Sequence, residues 1–241
     1  MSSPMSSPST TPTQRFGLPQ SRRRARVVLG LALLLVAAPA AVQAEDSLRA
    51  DCDASGHFRV LARSDLPADA AAIWLDEQRL RWPQAPSDKG IVLLHADDVI
   101  RLDAEGRPDA GVAQHRLTAV TNVLPLAKGQ RTAWFGGGME FVLPVAADIG
   151  VLLRGDLLLA ALDAEGRVQT MTRVQHAAAL DDRYAAALDA PLGALPTPDA
   201  TMFALWAPTA QSVTVCVYED DDSATRSARA LSRDAASGVW S

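Results

Sequence analysis

Short apolar or alternating runs recur along the chain: "FRVLA" from Phe58, "AIWL" from Ala72, "RLRWP" from Arg79, "IVLLHA" from Ile91, "VIRLD" from Val99, "HRLTAV" from His115 and "EFVLPV" from Glu140. Pro, Gly, Asp and Ser bound them, and their spacing is close to that of an all-β domain. The strongest hairpin pattern runs from Val151 to Gln175, "VLLRGDLLLAALDAEGRVQTMTRVQ". Its Leu and Ala would also suit a helix, but Gly155 and the turn "DAEG" favour strands. The hexapeptide "LDAEGR" occurs twice, at Leu102–Arg107 and Leu162–Arg167. Each copy follows a strand-like run and places Asp, Glu and Gly where a solvent-facing turn uses them.

The pattern changes after Gln175. "AAALDDRYAAALDAPLG" is dominated by Ala, Leu and Asp and reads as a short helix or connector. "APLGALPTPDAT" then reads as a Pro-punctuated linker. Strand periodicity returns in "FALW", where Phe203 and Leu205 alternate with Ala204 and Trp206. In "SVTVCVYE", Val213, Val215 and Val217 face one way and Thr214, Cys216 and Tyr218 the other. Asp220 to Asp222 form a solvated acidic loop. "RALSRD" reads as a further strand, and "DAASG" with "VWS" as a closing hairpin. Trp206 is expected in a sandwich core, and Trp74 and Trp82 flank a turn as further core candidates.

Composition changes the reading mainly at the N-terminus. The chain has 241 residues. A Ser- and Pro-rich start leads into the basic cluster Arg22 to Arg26 and an apolar run from Val27 to Ala38. Val42 and Ala44 then stand where signal peptidase needs small residues. The apolar run has 12 residues, short for a bilayer span. A secretory signal, residues 1–44, cut after Ala44, is expected, which makes the protein secreted or periplasmic with no membrane association afterwards. Removing the leader takes five arginines and no acids, leaving 18 basic against 28 acidic residues, a net of −10. Such a charge speaks against nucleic acid as partner. Cys52 and Cys216 could pair in an oxidising compartment. They lie 164 residues apart in different modules, so unpaired thiols are the expectation.

Candidate chemistry is sparse. His57, His95, His115 and His176 have no ligand-like spacing, and neither metal nor cofactor is expected. The acid pairs Asp97–Asp98 and Asp181–Asp182 read as solvated turns or linker anchors, not as a catalytic pair. Trp134 and Phe135 precede the triple glycine Gly136 to Gly138. That loop lacks the Lys-Ser/Thr of a phosphate cradle, but an exposed aromatic pair there suits a sugar face. Trp134 and Phe135 are therefore the candidate carbohydrate-binding residues, set against a packing role between strands.

The segment "FALWAPTAQSVTVCVYEDDD…ALSRDAASGVWS" resembles the start of a family 48 carbohydrate-binding module, the immunoglobulin-like domain that precedes the catalytic barrel of starch-debranching enzymes. Upstream, "AIWLDEQRLRWP" and "LLRGDLLLAALDAEGRVQTMTRVQHAAALDDRYAAALDAPLG" resemble the N-terminal region of secreted bacterial pullulanases. His176 and Ala177 stand where that family usually has an apolar residue and Pro, and Arg183 where Leu is usual. These departures bear on the packing between modules. The resemblance implies an all-β chain of immunoglobulin-like β-sandwich modules, the last incomplete: residues 45–195 an N-terminal β domain and 196–241 a truncated carbohydrate-binding module. It implies the non-catalytic part of an α-1,6-glucosidase of glycoside hydrolase family 13, without the barrel that carries the catalytic carboxylates. Its partner would be an α-glucan such as pullulan, starch or glycogen, bound weakly if at all. The alternative is a free-standing periplasmic β-sandwich that binds or adheres. The DNA beyond codon 241 would separate the two.

Overall fold

Strand β3, Gly90–Ala96, and strand β7, Asp156–Leu162, form the centre of the molecule and pair antiparallel along their whole length, from Gly90 opposite Leu162 to Ala96 opposite Asp156. Both are buried on two faces, and alternation still sorts their side chains. Ile91, Leu93, Leu157, Leu159 and Ala161 enter one core; Val92, Leu94, Ala96, Leu158 and Ala160 enter another. A strand covered on both sides reads as a continuous apolar run, and this is why the Leu- and Ala-rich segment is a strand despite its helical propensity. The structure, a computed structural model, describes residues 40–54, 65–66, 69–120, 137–220 and 224–241. All of them belong to one compact unit, Pro39–Ser241.

Around this pair lie β1 (Ala72–Trp74), β2 (Arg79–Trp82), β4 (Ala113–Arg116), β5 (Thr118–Val120), β6 (Met139–Val142) and β8 (Val168–Gln175). The eight strands run in the order β4-β3-β7-β8-β1-β2-β6-β5. Among the described residues only β1 and β8 pair in parallel, Ala72 opposite Val174. Trp74, Leu80, Trp82 and Phe141 from one end of the sheet meet Ile91, Leu93 and Leu159 from the other in a single buried cluster. The sheet therefore folds over itself in sandwich fashion, and the fold is all-β, with three short helical pieces besides helix Ala40–Asp53 among the described residues. Trp74 and Trp82 are core residues, as expected.

Two helical details alter the sequence reading. Residues 151 and 152 belong to helix α2, Ile149–Leu152, rather than to a hairpin; Asp148 caps it, its Oδ1 accepting from the Val151 N–H at 3.1 Å. The strand begins only at Asp156, after Gly155, where a Cβ would stand 2.3 Å from His95 Nε2 and 2.4 Å from the Ala96 carbonyl. The connector after β8 is helix α3, Ala177–Arg183, followed by a 3-10 turn at Ala185–Ala187. Asp181 and Asp182 thus lie on a helix and not in a turn.

The repeated hexapeptide makes the same turn twice. Asp103 Oδ1 accepts from the N–H groups of Glu105 and Arg107, and Asp163 Oδ1 from those of Glu165 and Arg167. Gly106 and Gly166 both have φ of 79°, a left-handed conformation that glycine adopts without strain. The two turns also dock on each other, Arg107 Nε donating to the Glu165 carbonyl at 3.1 Å.

The C-terminal region holds β9 (Gly193–Pro196), β10 (Thr201–Trp206), β11 (Thr214–Val217), β12 (Ser227–Ala230) and β13 (Val239–Trp240). Strand β10 lies between β13 and β9, and β11 pairs with β12 as a separate two-stranded hairpin. Part of the expected linker is therefore strand β9, drawn into the sheet by pairing with β10, Phe203 opposite Ala194. The "RALSRD" strand is shifted: it starts at Ser227 and ends at Ala230. The closing hairpin forms as read, with Ser232 and Ser241 exchanging backbone hydrogen bonds.

The cysteines correct the sequence reading outright. Cys52 and Cys216 form a disulfide, with Cα atoms 6.0 Å apart. Cys52 sits near the end of helix α1, Ala40–Asp53, which packs on the β11–β12 hairpin and brings the two thiols together across 164 residues. Separation along the chain carried no information about separation in space.

Candidate functional site

A groove of about 710 Å³ opens where the C-terminal strands meet the eight-stranded sheet. Leu75 and Asp76 reach it from the turn after β1, Ala178, Asp181 and Asp182 from α3, Tyr184 and Leu188 from the following turn, Leu192 from the lead into β9, and Trp206 from the end of β10. Trp206 was expected in a core and is instead 38% exposed. Its indole is oriented by donation of Nε1–H to the Ser237 carbonyl at 3.0 Å. Among the described residues no second sheet covers β10, and the buried tryptophan of this region is Trp240, whose Nε1–H donates to the Ala207 carbonyl at 2.9 Å. Leu188 and Leu192 add exposed apolar surface.

The polar wall of the groove is acidic. Burial works to raise the Asp76 pKa, but hydrogen bonds from the Arg79 side chain and from the Gln78 and Arg79 N–H groups outweigh it and hold the carboxyl below its usual range. Arg79 is shared with Glu140, which also takes a hydrogen bond of 2.5 Å from Arg81. This half-buried ion network fixes the β1–β2 turn. Asp182 Oδ2 accepts from the Glu77 N–H at 3.4 Å, tying α3 to the same turn. A rigid aromatic plate flanked by carboxylate acceptors can stack on the C–H face of a sugar ring and accept from its hydroxyls.

The seam beneath the groove joins the two regions. Tyr184 is buried, and the guanidinium carbons of Arg183 and Arg233 lie 5.3 and 5.4 Å from its ring centroid. Arg233 also donates to the Tyr184 hydroxyl at 2.5 Å. Arg183, which stands where the resembled family usually has Leu, donates to the Ala235 carbonyl at 3.2 Å and lies 3.9 Å from Glu77. Arg183 thus supplies an inter-region contact. On the far side, Gln211 Nε2 donates to the carbonyls of Asp97 and Arg154 at 2.6 and 3.0 Å.

Trp134 and Phe135, the sequence-derived candidates, lie outside the described residues. Ala44 is exposed on α1. His95 is buried on β3; burial lowers its pKa, only partly offset by Asp97 and Asp156. Among the described residues no three His, Cys, Asp or Glu side chains gather as a metal site. Sequence reasoning missed the groove because its walls come from three stretches far apart in the chain, around Leu75, from Ala178 to Leu192, and at Trp206. The one local signal was the pair Leu188 and Leu192 in an Ala-rich connector that continues past the helix.

Two domain families match this chain, in the order that the two regions lie: the Pullulanase N2 domain over residues 69–182, and Carbohydrate-binding module 48 (Isoamylase N-terminal domain) over residues 191–241. The two matches define the class: the non-catalytic N-terminal and carbohydrate-binding-module domains found in starch-debranching enzymes. The relatives make it more specific. A pullulanase of Klebsiella pneumoniae is 35% identical over 173 residues, 71% of this chain and 16% of that protein. "Pullulanase 1, chloroplastic" of Arabidopsis thaliana is 35% identical over 127 residues, 52% of this chain and 13% of that protein. The crystal structure of apo pullulanase from Klebsiella pneumoniae superposes with a TM-score of 0.64 at 32% identity, covering 72% of this chain and 18% of that one. The chain belongs to the pullulanase family as its non-catalytic N-terminal N2 and carbohydrate-binding domains, and it spans under a fifth of the length of these relatives.

Proposed function

We infer that this chain is the scaffold and weak α-glucan-binding front of an exported pullulanase, whose full length would hydrolyse α-1,6 bonds in pullulan and branched α-glucans. The observation that carries the glucan reading is the oriented, exposed indole of Trp206 in an acid-walled groove beside a carbohydrate-binding module. Trp134 and Phe135 form a second proposed contact. Export is supported by the leader pattern, with cleavage after Ala44, and by the disulfide, which belongs to an oxidising compartment. No described helix is long and apolar enough to cross a membrane.

The groove binds without cleaving. Retaining glycoside hydrolysis uses two carboxyl groups about 5–5.5 Å apart, one of them protonated. Asp76 is kept ionised by Arg79, which leaves it unable to donate a proton at neutral pH. Affinity electrophoresis of the full chain in pullulan gels is the test. Retardation lost in Trp206→Ala and kept in Trp134→Ala places binding in the groove; the reverse places it in the Gly-rich loop. A chain that migrates as in a plain gel refutes glucan binding.

A further inference from the structure

The β11–β12 hairpin has no third strand among the described residues. A lone two-stranded hairpin is marginal in water. Its support comes from helix α1, which covers the face that carries Cys216 and its cross-strand partner Ala228. Ala228 is 1% exposed and Cys52 3%. Four tethers between the helix and the hairpin region gather at the last two residues of the helix. The disulfide joins Cys52 to Cys216, the Tyr218 hydroxyl donates to the Cys52 carbonyl at 3.1 Å, and Asp53 Oδ1 accepts from the Thr225 N–H at 2.8 Å and from the Thr225 hydroxyl. The polar tethers bracket the disulfide, so their geometry depends on it.

We propose that Cys52–Cys216 is a redox-operated clamp that docks the segment just after the expected cleavage point onto the β11–β12 hairpin and thereby holds that hairpin in its fold. In the reduced chain α1 is joined to the hairpin only through non-covalent contacts and a long intervening chain, and it dissociates readily. Closure is thiol–disulfide exchange. A thiolate of the pair attacks an external disulfide such as glutathione disulfide and forms a mixed disulfide. The second thiolate then displaces glutathione, so that two thiols are oxidised, one glutathione disulfide is reduced to two glutathione thiols, and the protons balance. The clamp closes only where such an oxidant prevails.

Hydrogen exchange read by mass spectrometry on the full chain tests the clamp, with the chain equilibrated in glutathione disulfide or in a phosphine reductant. Reduction should speed exchange in 45–53 and 214–230 roughly tenfold or more while leaving β7–β8 unchanged, and reoxidation should restore it. The double variant Cys52→Ser with Cys216→Ser should exchange like the reduced chain under both conditions. Equal exchange of α1 and the hairpin in the two states would refute the clamp. So would acceleration spread equally over β7–β8, since the disulfide would then hold the whole unit and not one hairpin. A count of two free thiols after glutathione disulfide treatment would refute it as well.

Discussion

Strands β7 and β10 are both rich in apolar residues and meet opposite fates. In β7 every residue from Asp156 to Ala161 is buried. In β10 only Ala204 is, while Met202, Phe203, Leu205 and Trp206 are between 37% and 51% exposed. The N2 region packs strands β3 and β7 between two apolar clusters, and each side chain removed from water there contributes to stability. The carbohydrate-binding region is held by other means: a disulfide, a helix borrowed from the N-terminus, and a polar seam built on Tyr184, Arg183, Arg233 and Gln211. One region is stabilised by its own core, the other by its attachments. Periodicity states which side chains share a face; it does not state whether anything lies opposite that face.

A matched pair of truncations separates the two strands. Leu159→Ala, at a fully buried site, should cost about 2–5 kcal/mol. Leu205→Ala, at a site 51% exposed, should stay within about 0.5 kcal/mol. Urea unfolding of the two variants checks this, and similar losses would mean that β10 is packed as tightly as β7.

A smaller effect is expected at the seam. Arg233→Ala removes the hydrogen bond to the Tyr184 hydroxyl and one of two cations over the ring, at a cost of about 1.5–3 kcal/mol. The loss should appear as faster proteolysis in the connector 185–200, with the N2 core intact. Cleavage as slow as in the parent chain would show that Gln211 and the groove contacts suffice.

The smallest effect is a pH dependence confined to the N2 region. His95 has its pKa lowered by burial, so the unfolded chain binds its proton more readily than the folded one. The contribution is complete above the ordinary value of 6.5 and is lost as pH falls through the lowered folded value. Thermal unfolding of His95→Asn across that range should lack the acid-side decline of the parent chain near pH 6. An identical decline in both would assign it to other groups.

Much of the fold was legible because its signals are local. Alternation marked the strands. The two copies of "LDAEGR" marked turns, since an Asp side chain can accept from N–H groups two and four residues on while Gly takes the positive φ. The Ala-rich stretch after Gln175 left a short helix and a connector both open, and its first turns form the helix. The candidate site was hardly legible. Trp206 was placed in a core on strand anatomy, and Arg183 was seen as a departure from a family pattern instead of a bond to Ala235 across the seam.

Strand period, turn chemistry, the all-β class and the family are written in neighbouring residues, which is why they could be read off the chain. The Cys52–Cys216 pairing, the strand made from the linker, the exposure of Trp206 and the meeting of three distant stretches at one groove came only with the folded chain. The physical reason is the same for each. Burial and pairing depend on partners tens to hundreds of residues away, and the free energy that brings those partners together comes from cores such as that of β3 and β7, which no short stretch of the chain contains.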